Sequence, residues 1–172
     1  MNIIKTAFLL ALTLIVFNTA ATAQRKKTPT KPKAVPAAVV SVFEIRDGAD
    51  KVAVQIKNVT KFLYTLGGIA IRIEDLDNEA KARTLSRASL DLNSENKQNV
   101  MQAIRNLRAG IAALEVEFRT KPALTKFLVQ IQGITDLTAQ TEYLAAAGKF
   151  SESGKPLLLL VEKLSDTLAA MP

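Results

Sequence analysis

DKVAVQIKNVTKFLYTLGGIAIRI, residues 50–73, is the most regular stretch of the chain. Its apolar residues Val52, Ile56, Val59, Leu63, Leu66, Ala70 and Ile73 recur at alternating steps of four and three. Followed backward, the same register takes in Ala49, Ile45 and Val42. This 3.5-residue period puts one apolar seam along an amphipathic helix, in the manner of a coiled coil, whereas a strand would alternate every second residue. Gly48 and the pair Gly67-Gly68 interrupt the helix. Each weakens it by about 1 kcal/mol relative to Ala, so a kink or a close approach of a neighbour is expected there.

Beyond the seam stand Glu74, Asp75, Asp77 and Glu79. Negative charge is unfavourable at a helix C-terminus and favourable at a helix start. The run therefore predicts a break near 76–78 and a short restart. Residues 84–94 then read as a connection, with Asn93 or Ser94 as the next cap. A second helix carries Val100, Ile104, Leu107, Ile111, Leu114 and Phe118 and stops at Thr120 and Pro122. A third shows Leu124, Phe127, Leu128, Ile131, Ile134, Leu137 and Leu144, with Gly148 as its C-terminal cap. A fourth starts at Ser153 or Lys155 ahead of Pro156, and its face is Leu157, Leu160, Val161, Leu164 and Leu168. Short links make neighbours antiparallel. The expected fold class is all-α, an antiparallel four-helix bundle with coiled-coil-like seams over residues 37–172.

Upstream, residues 1–23 have the three parts of a signal peptide. Lys5 precedes an apolar run, AFLLALTLIVF (7–17), and Ala21-Thr22-Ala23 offers small residues for cleavage before Gln24. Arg25, Lys26 and Lys27 follow the run and argue the other way, since basic flanks tend to stay cytoplasmic. The alternative is a membrane-anchored chain held through uncleaved residues 7–23. Export to the periplasm or the exterior is the expectation. Absence of Cys excludes a lipid-anchored lipoprotein and any disulfide.

The formal charge of +7 invites a nucleic-acid reading, but its location does not support one. Lys5 leaves with the signal peptide, and Arg25, Lys26, Lys27, Lys31 and Lys33 belong to residues 24–36. Residues 37–172 keep 17 basic residues against 16 acidic ones. The 24–36 stretch, with Pro29, Pro32 and Pro36, reads as a disordered arm suited to touching an anionic surface. No specific nucleic-acid binding is expected: Phe43, Phe62, Phe118 and Phe127 fall on or beside apolar stripes instead of alternating with cations.

Chemistry is narrowed by elimination. Without His or Cys the chain lacks the usual zinc ligands, Ser-His and Cys-His nucleophiles, di-iron Glu-x-x-His pairs and haem attachment. SESGKP (151–156) lacks the Gly spacing, the Ser/Thr and the preceding strand of a phosphate loop. Asp75-x-Asp77-x-Glu79 opens like a calcium loop, yet Ala80 and Ser86 stand where Gly and Glu are required. Asn58-Val59-Thr60 is a chance glycosylation match inside the strongest helix. No catalytic residue, metal ligand or cofactor is expected. Thr135, Thr138 and Thr141 occupy otherwise apolar positions of the third helix. They either bond their own backbone or form a small polar notch for a ligand. The expected function is that of an exported, non-catalytic interaction or structural protein of the cell envelope. It would bind a protein or envelope partner and could form an oligomer. A small-ligand carrier with an inter-helix pocket is the alternative.

Overall fold

The computed structural model describes residues 37–172, which are helical throughout with short connections. The expected signal peptide (1–23) and the expected arm (24–36), with Arg25, Lys26, Lys27, Lys31 and Lys33, lie outside the described residues. Helix α1 runs Ala37–Lys81 and α2 Arg87–Thr120. A 3-10 turn, Thr125–Phe127, leads into the single-turn α3, Leu128–Ile131. Helices α4, Ile134–Ala146, and α5, Gly154–Ala170, complete the described chain. Four long helices pack in a closed ring: α1 on α2, α2 on α4, α4 on α5 and α5 back on α1.

The seam drives this packing. Val52, Val59, Leu66 and Ile73 are buried at seven-residue steps along α1, and Ile104, Ile111 and Phe118 repeat the step along α2. Leu157, Leu160 and Leu164 from α5 close the core with Leu124, Ile131 and Ile134. Polar links give the direction of the α1–α2 pair. Lys51 of α1 reaches Glu117 of α2 at 2.6 Å, whereas Asn93 of α2 reaches Asp77 of α1 at 2.8 Å. The two helices therefore run antiparallel.

Three expectations need correction. Helix α1 does not break at 76–78 but continues to Lys81. Tertiary partners outweigh the macrodipole term. Glu74 accepts from the Ser151 N–H and hydroxyl at 2.9 and 2.8 Å, and Asp77 accepts from Asn93 and from Lys97. In the turn just past Lys81, Arg83 adopts a φ of 58°, which lets the Thr84 N–H reach back to the Glu79 carbonyl and closes the helix end. Second, the stretch 84–94 is mostly helix. Ser86 caps α2 by accepting from the Ser89 N–H, and Asn93 is a buried residue inside the helix. Third, the third helix is divided at Gly133, which adopts φ 84°. Val42 also leaves the seam and is exposed. Gly148 does cap α4: its N–H binds the Ala145 carbonyl, and the Lys149 N–H binds that of Leu144.

The glycines of α1 separate into two kinds. A methyl group at Gly48 would lie 2.7 Å from Leu124 Cδ2 and 3.3 Å from Met171 Cε, so α1 is closely approached there. At Gly67 and Gly68 it would meet nothing within 4 Å. Gly48→Ala should therefore lower stability by about 1 kcal/mol, since overpacking exceeds the gain in helix propensity. Gly67→Ala should raise it by about 0.5–1 kcal/mol. Thermal unfolding of the two variants checks the opposite signs. Equal shifts in the same direction would contradict the packing described.

Candidate functional site

One stripe of α2 consists of short polar and small residues: Asn96, Asn99, Ala103, Asn106 and Gly110, spaced three and four apart. They share one face of the helix. Because these side chains are short, the wall they build beside α1 is low. An open groove of about 380 Å³ results, lined by Asn58, Lys61, Phe62, Thr65 and Ile69 from α1 and by Asn96, Asn99, Val100 and Ala103 from α2. It shares Asn58, Phe62 and Ala103 with a second hollow of about 330 Å³ that adds Gln55, Asn106, Leu107 and Gly110. Gly110 makes room for the Gln55 amide, which would lie 3.1 Å from a methyl group at that position.

The groove has an apolar floor and a carboxamide rim. Phe62, Ile69 and Leu107 are half-buried against the core. Asn58 donates weakly to Gln55 at 3.5 Å, and Asn106 accepts from Gln102 at 2.9 Å. The Asn96 and Asn99 side chains bond no other described residue. Carboxamides offer a donor and an acceptor each and do not titrate. Lys61 is the one charged residue of the lining. Such a site can hold apolar side chains on its floor and polar backbone or hydroxyl groups at its rim. It has no carboxylate with which to pair an acid and a base.

Several titratable groups elsewhere are held in ion pairs. Lys51 donates to Asp47 at 2.8 Å and to Glu117 at 2.6 Å; Lys121 donates to Asp47 at 3.1 Å and pairs with Glu117. The Asp47 bond, then the Glu117 bond, pushes the Lys51 ammonium pKa up. Asp47, held first by Lys51 and then by Lys121, is pushed below the usual carboxylate range. Burial pushes Glu117 up, but Lys121 and Lys51 together bring it below its ordinary value. Glu142 accepts from Arg108 at 2.7 Å and from Arg105 at 3.0 Å, and is lowered by them in that order. All these shifts lead away from neutrality, the reverse of what acid–base catalysis near pH 7 requires. Among the described residues no group of three or more His, Cys, Asp or Glu is placed to hold a metal ion.

Glu115 is the functional group of the fold itself. It projects from α2 and is buried, with its carboxylate at the start of α4. One oxygen accepts from the Gly133 N–H and the other from the Thr135 N–H, each at 3.0 Å, and Arg119 donates at 3.2 Å. Burial pushes its pKa up, but the Gly133 and Thr135 donors and the Arg119 charge outweigh that and hold it below the usual carboxylate range. A side chain from another helix thus does the work of an N-cap.

The threonines named from sequence lie just beyond this cap. Thr138 and Thr141 are buried; Thr138 donates to the Thr135 carbonyl at 2.7 Å and Thr141 to the Leu137 carbonyl at 3.0 Å. Their hydroxyl protons are engaged by their own helix. The sequence reading missed the groove, although Asn96, Asn99 and Asn106 at helical spacing beside the Val100–Leu107 seam were its signal. Comparison with known proteins finds no matching family model, no matching curated protein and no matching solved structure.

Proposed function

We propose that this chain is an exported, non-catalytic binding protein of the cell envelope. In this reading it is an antiparallel four-helix bundle with coiled-coil-like seams, released by cleavage before Gln24. Its α1–α2 groove receives a polypeptide segment of an envelope partner, and its basic arm, Arg25 to Lys33, touches an anionic surface. The observation that carries the reading is the pairing of an apolar floor with unbonded Asn96 and Asn99 amides. Polypeptide supplies both complements, side chains for the floor and backbone amides for the rim. From Gln55 to Ile69 the groove extends for about 21 Å, the span of six or seven extended residues.

A photo-cross-linking residue at position 99, introduced into the natively exported protein, tests this reading. The recovered protein should begin at Gln24 by intact mass. It should be joined to one defined peptide sequence, and that adduct should vanish when Ala103→Trp fills the groove. A probe at exposed Gln140 of α4 should give no such adduct. Retention of Met1 inside the cell would overturn export, and equal adducts from both probes would overturn the groove. The second reading, a small-ligand carrier, draws on the groove volume of about 380 Å³, within the range of small-molecule pockets. A small molecule co-purifying with the protein and displaced by Ala103→Trp would favour it. The Thr135, Thr138 and Thr141 notch could serve a carrier only by giving up the backbone bonds described above.

A further inference from the structure

Helix α1 has a third, exposed face, bordered by the α2 groove at Lys61 and by α5 at Ile71. Val39, Val42, Phe43, Val54, Tyr64 and Ile71 are all exposed on it, from 41% at Val39 to 88% at Tyr64. Interleaved with them are Arg46, Lys57, Lys61 and Arg72, also exposed. At 100° per residue these ten positions fall within about 120° of the helix circumference. None of the four cationic groups has a hydrogen bond or ion pair with a described residue. Lys51, Lys97, Arg105, Arg108, Arg119 and Lys121 are by contrast paired, while the cationic groups of Lys81, Arg83 and Lys155 share the lack of a partner. Asp50 is the one acid on this face between Arg46 and Arg72.

We infer that this face of α1 docks on an anionic lipid surface. The inference rests on the envelope location proposed above. Charge selects the occupant. A second copy laid on the face would bring the same excess of cations, four against the one acid Asp50, onto its like, and such net like charge is unfavourable. An anionic surface meets all four cations at once. Shape points the same way: the row runs about 50 Å along an unbroken convex helix, from Val39 to Arg72. A planar headgroup layer can follow such a line throughout. Lysine and arginine stems can lie along the aliphatic residues with their charges on lipid phosphates, while Phe43 and Tyr64 enter the interface. The charge also continues in sequence, because Arg25, Lys26, Lys27, Lys31 and Lys33 precede α1 and no acid occurs before Glu44. The attachment is peripheral, since no described helix is long and apolar enough to cross a membrane.

The chain has no tryptophan, so Tyr64→Trp supplies a single reporter on the proposed face. Its emission should shift to the blue with phosphatidylglycerol-containing vesicles and stay unchanged with pure phosphatidylcholine. In co-sedimentation, Arg46→Glu combined with Lys57→Glu should weaken binding at least tenfold, given about fivefold per cation near such a surface. Both sites are exposed, so helicity and melting temperature should be preserved. Phe43→Ser with Tyr64→Ser should weaken binding about threefold or more at constant charge. Vesicle binding with no blue shift would assign the contact to the arm alone and overturn the inference. So would equal binding of the charge-reversed variant, or equally tight binding to soluble polyphosphate. None of these variants alters the α1–α2 groove. Loss of the lipid contact with cross-linking at position 99 intact therefore fails this inference and spares the partner reading.

Discussion

Ile111→Asp should abolish the cooperative thermal transition of this protein. Ile111 is fully buried in α2 within the core shared by the packed helices. The substitution removes a side chain from that core and puts a carboxylate into the apolar cluster. The combined cost is on the order of 4 kcal/mol or more, against a total stability of about 5–15 kcal/mol for a domain of this size. Lys57→Ala, at an exposed site, should change stability by less than about 0.5 kcal/mol. Circular dichroism melts of the two variants separate these expectations. Comparable losses from both would contradict the core assignment.

Glu115→Ala should be nearly as severe, for a different reason. It leaves the Gly133 and Thr135 N–H groups without their acceptor at the start of α4 and leaves Arg119 without its partner. The expected loss is about 2–4 kcal/mol, the cost of unsatisfied buried donors plus lost charge-assisted bonds. Glu115→Gln keeps one acceptor oxygen and should lose less. The pH dependence distinguishes the charge from the shape. Because the folded-state pKa lies below the ordinary 4.5, the carboxylate's contribution is fully present above about pH 4.5 and is lost as pH falls through the folded value. The stability difference between wild type and Glu115→Gln should therefore be constant at neutral pH and shrink in acid. A difference that persists unchanged well below pH 4.5 would show that the charge contributes nothing.

The seam was legible because periodicity is a property of the chain itself. Val52, Val59, Leu66 and Ile73 could be placed on one buried face before any contact was known. Gly148 was equally readable, since a helix stop demands a left-handed residue and glycine supplies it at least cost. Failures fell where a residue's partner lies far away in sequence. Glu74 looked like a helix breaker because its bond to Ser151 is not visible locally. Asn93 looked like a cap because its contact with Asp77 of α1 is tertiary. Gly133 sits in an otherwise helical apolar run, and only the Glu115 carboxylate explains why a new helix starts there. The groove was missed because it is defined by what the Asn stripe leaves uncovered between two helices, and a single-helix pattern cannot show that.

The ring of four helices has a consequence for the timing of synthesis. The flank of α1 carrying Leu63 and Leu66 is covered by α5 near Gly154, almost ninety residues further along the chain. At about 5–20 residues per second, a ribosome needs roughly 4–18 s to supply that cover. Throughout that interval α1 and α2 can pair as a hairpin, but its inner apolar surface has no lid. The nascent hairpin thus keeps an uncovered apolar flank until the last helix emerges. Native burial is complete only after α5 has docked.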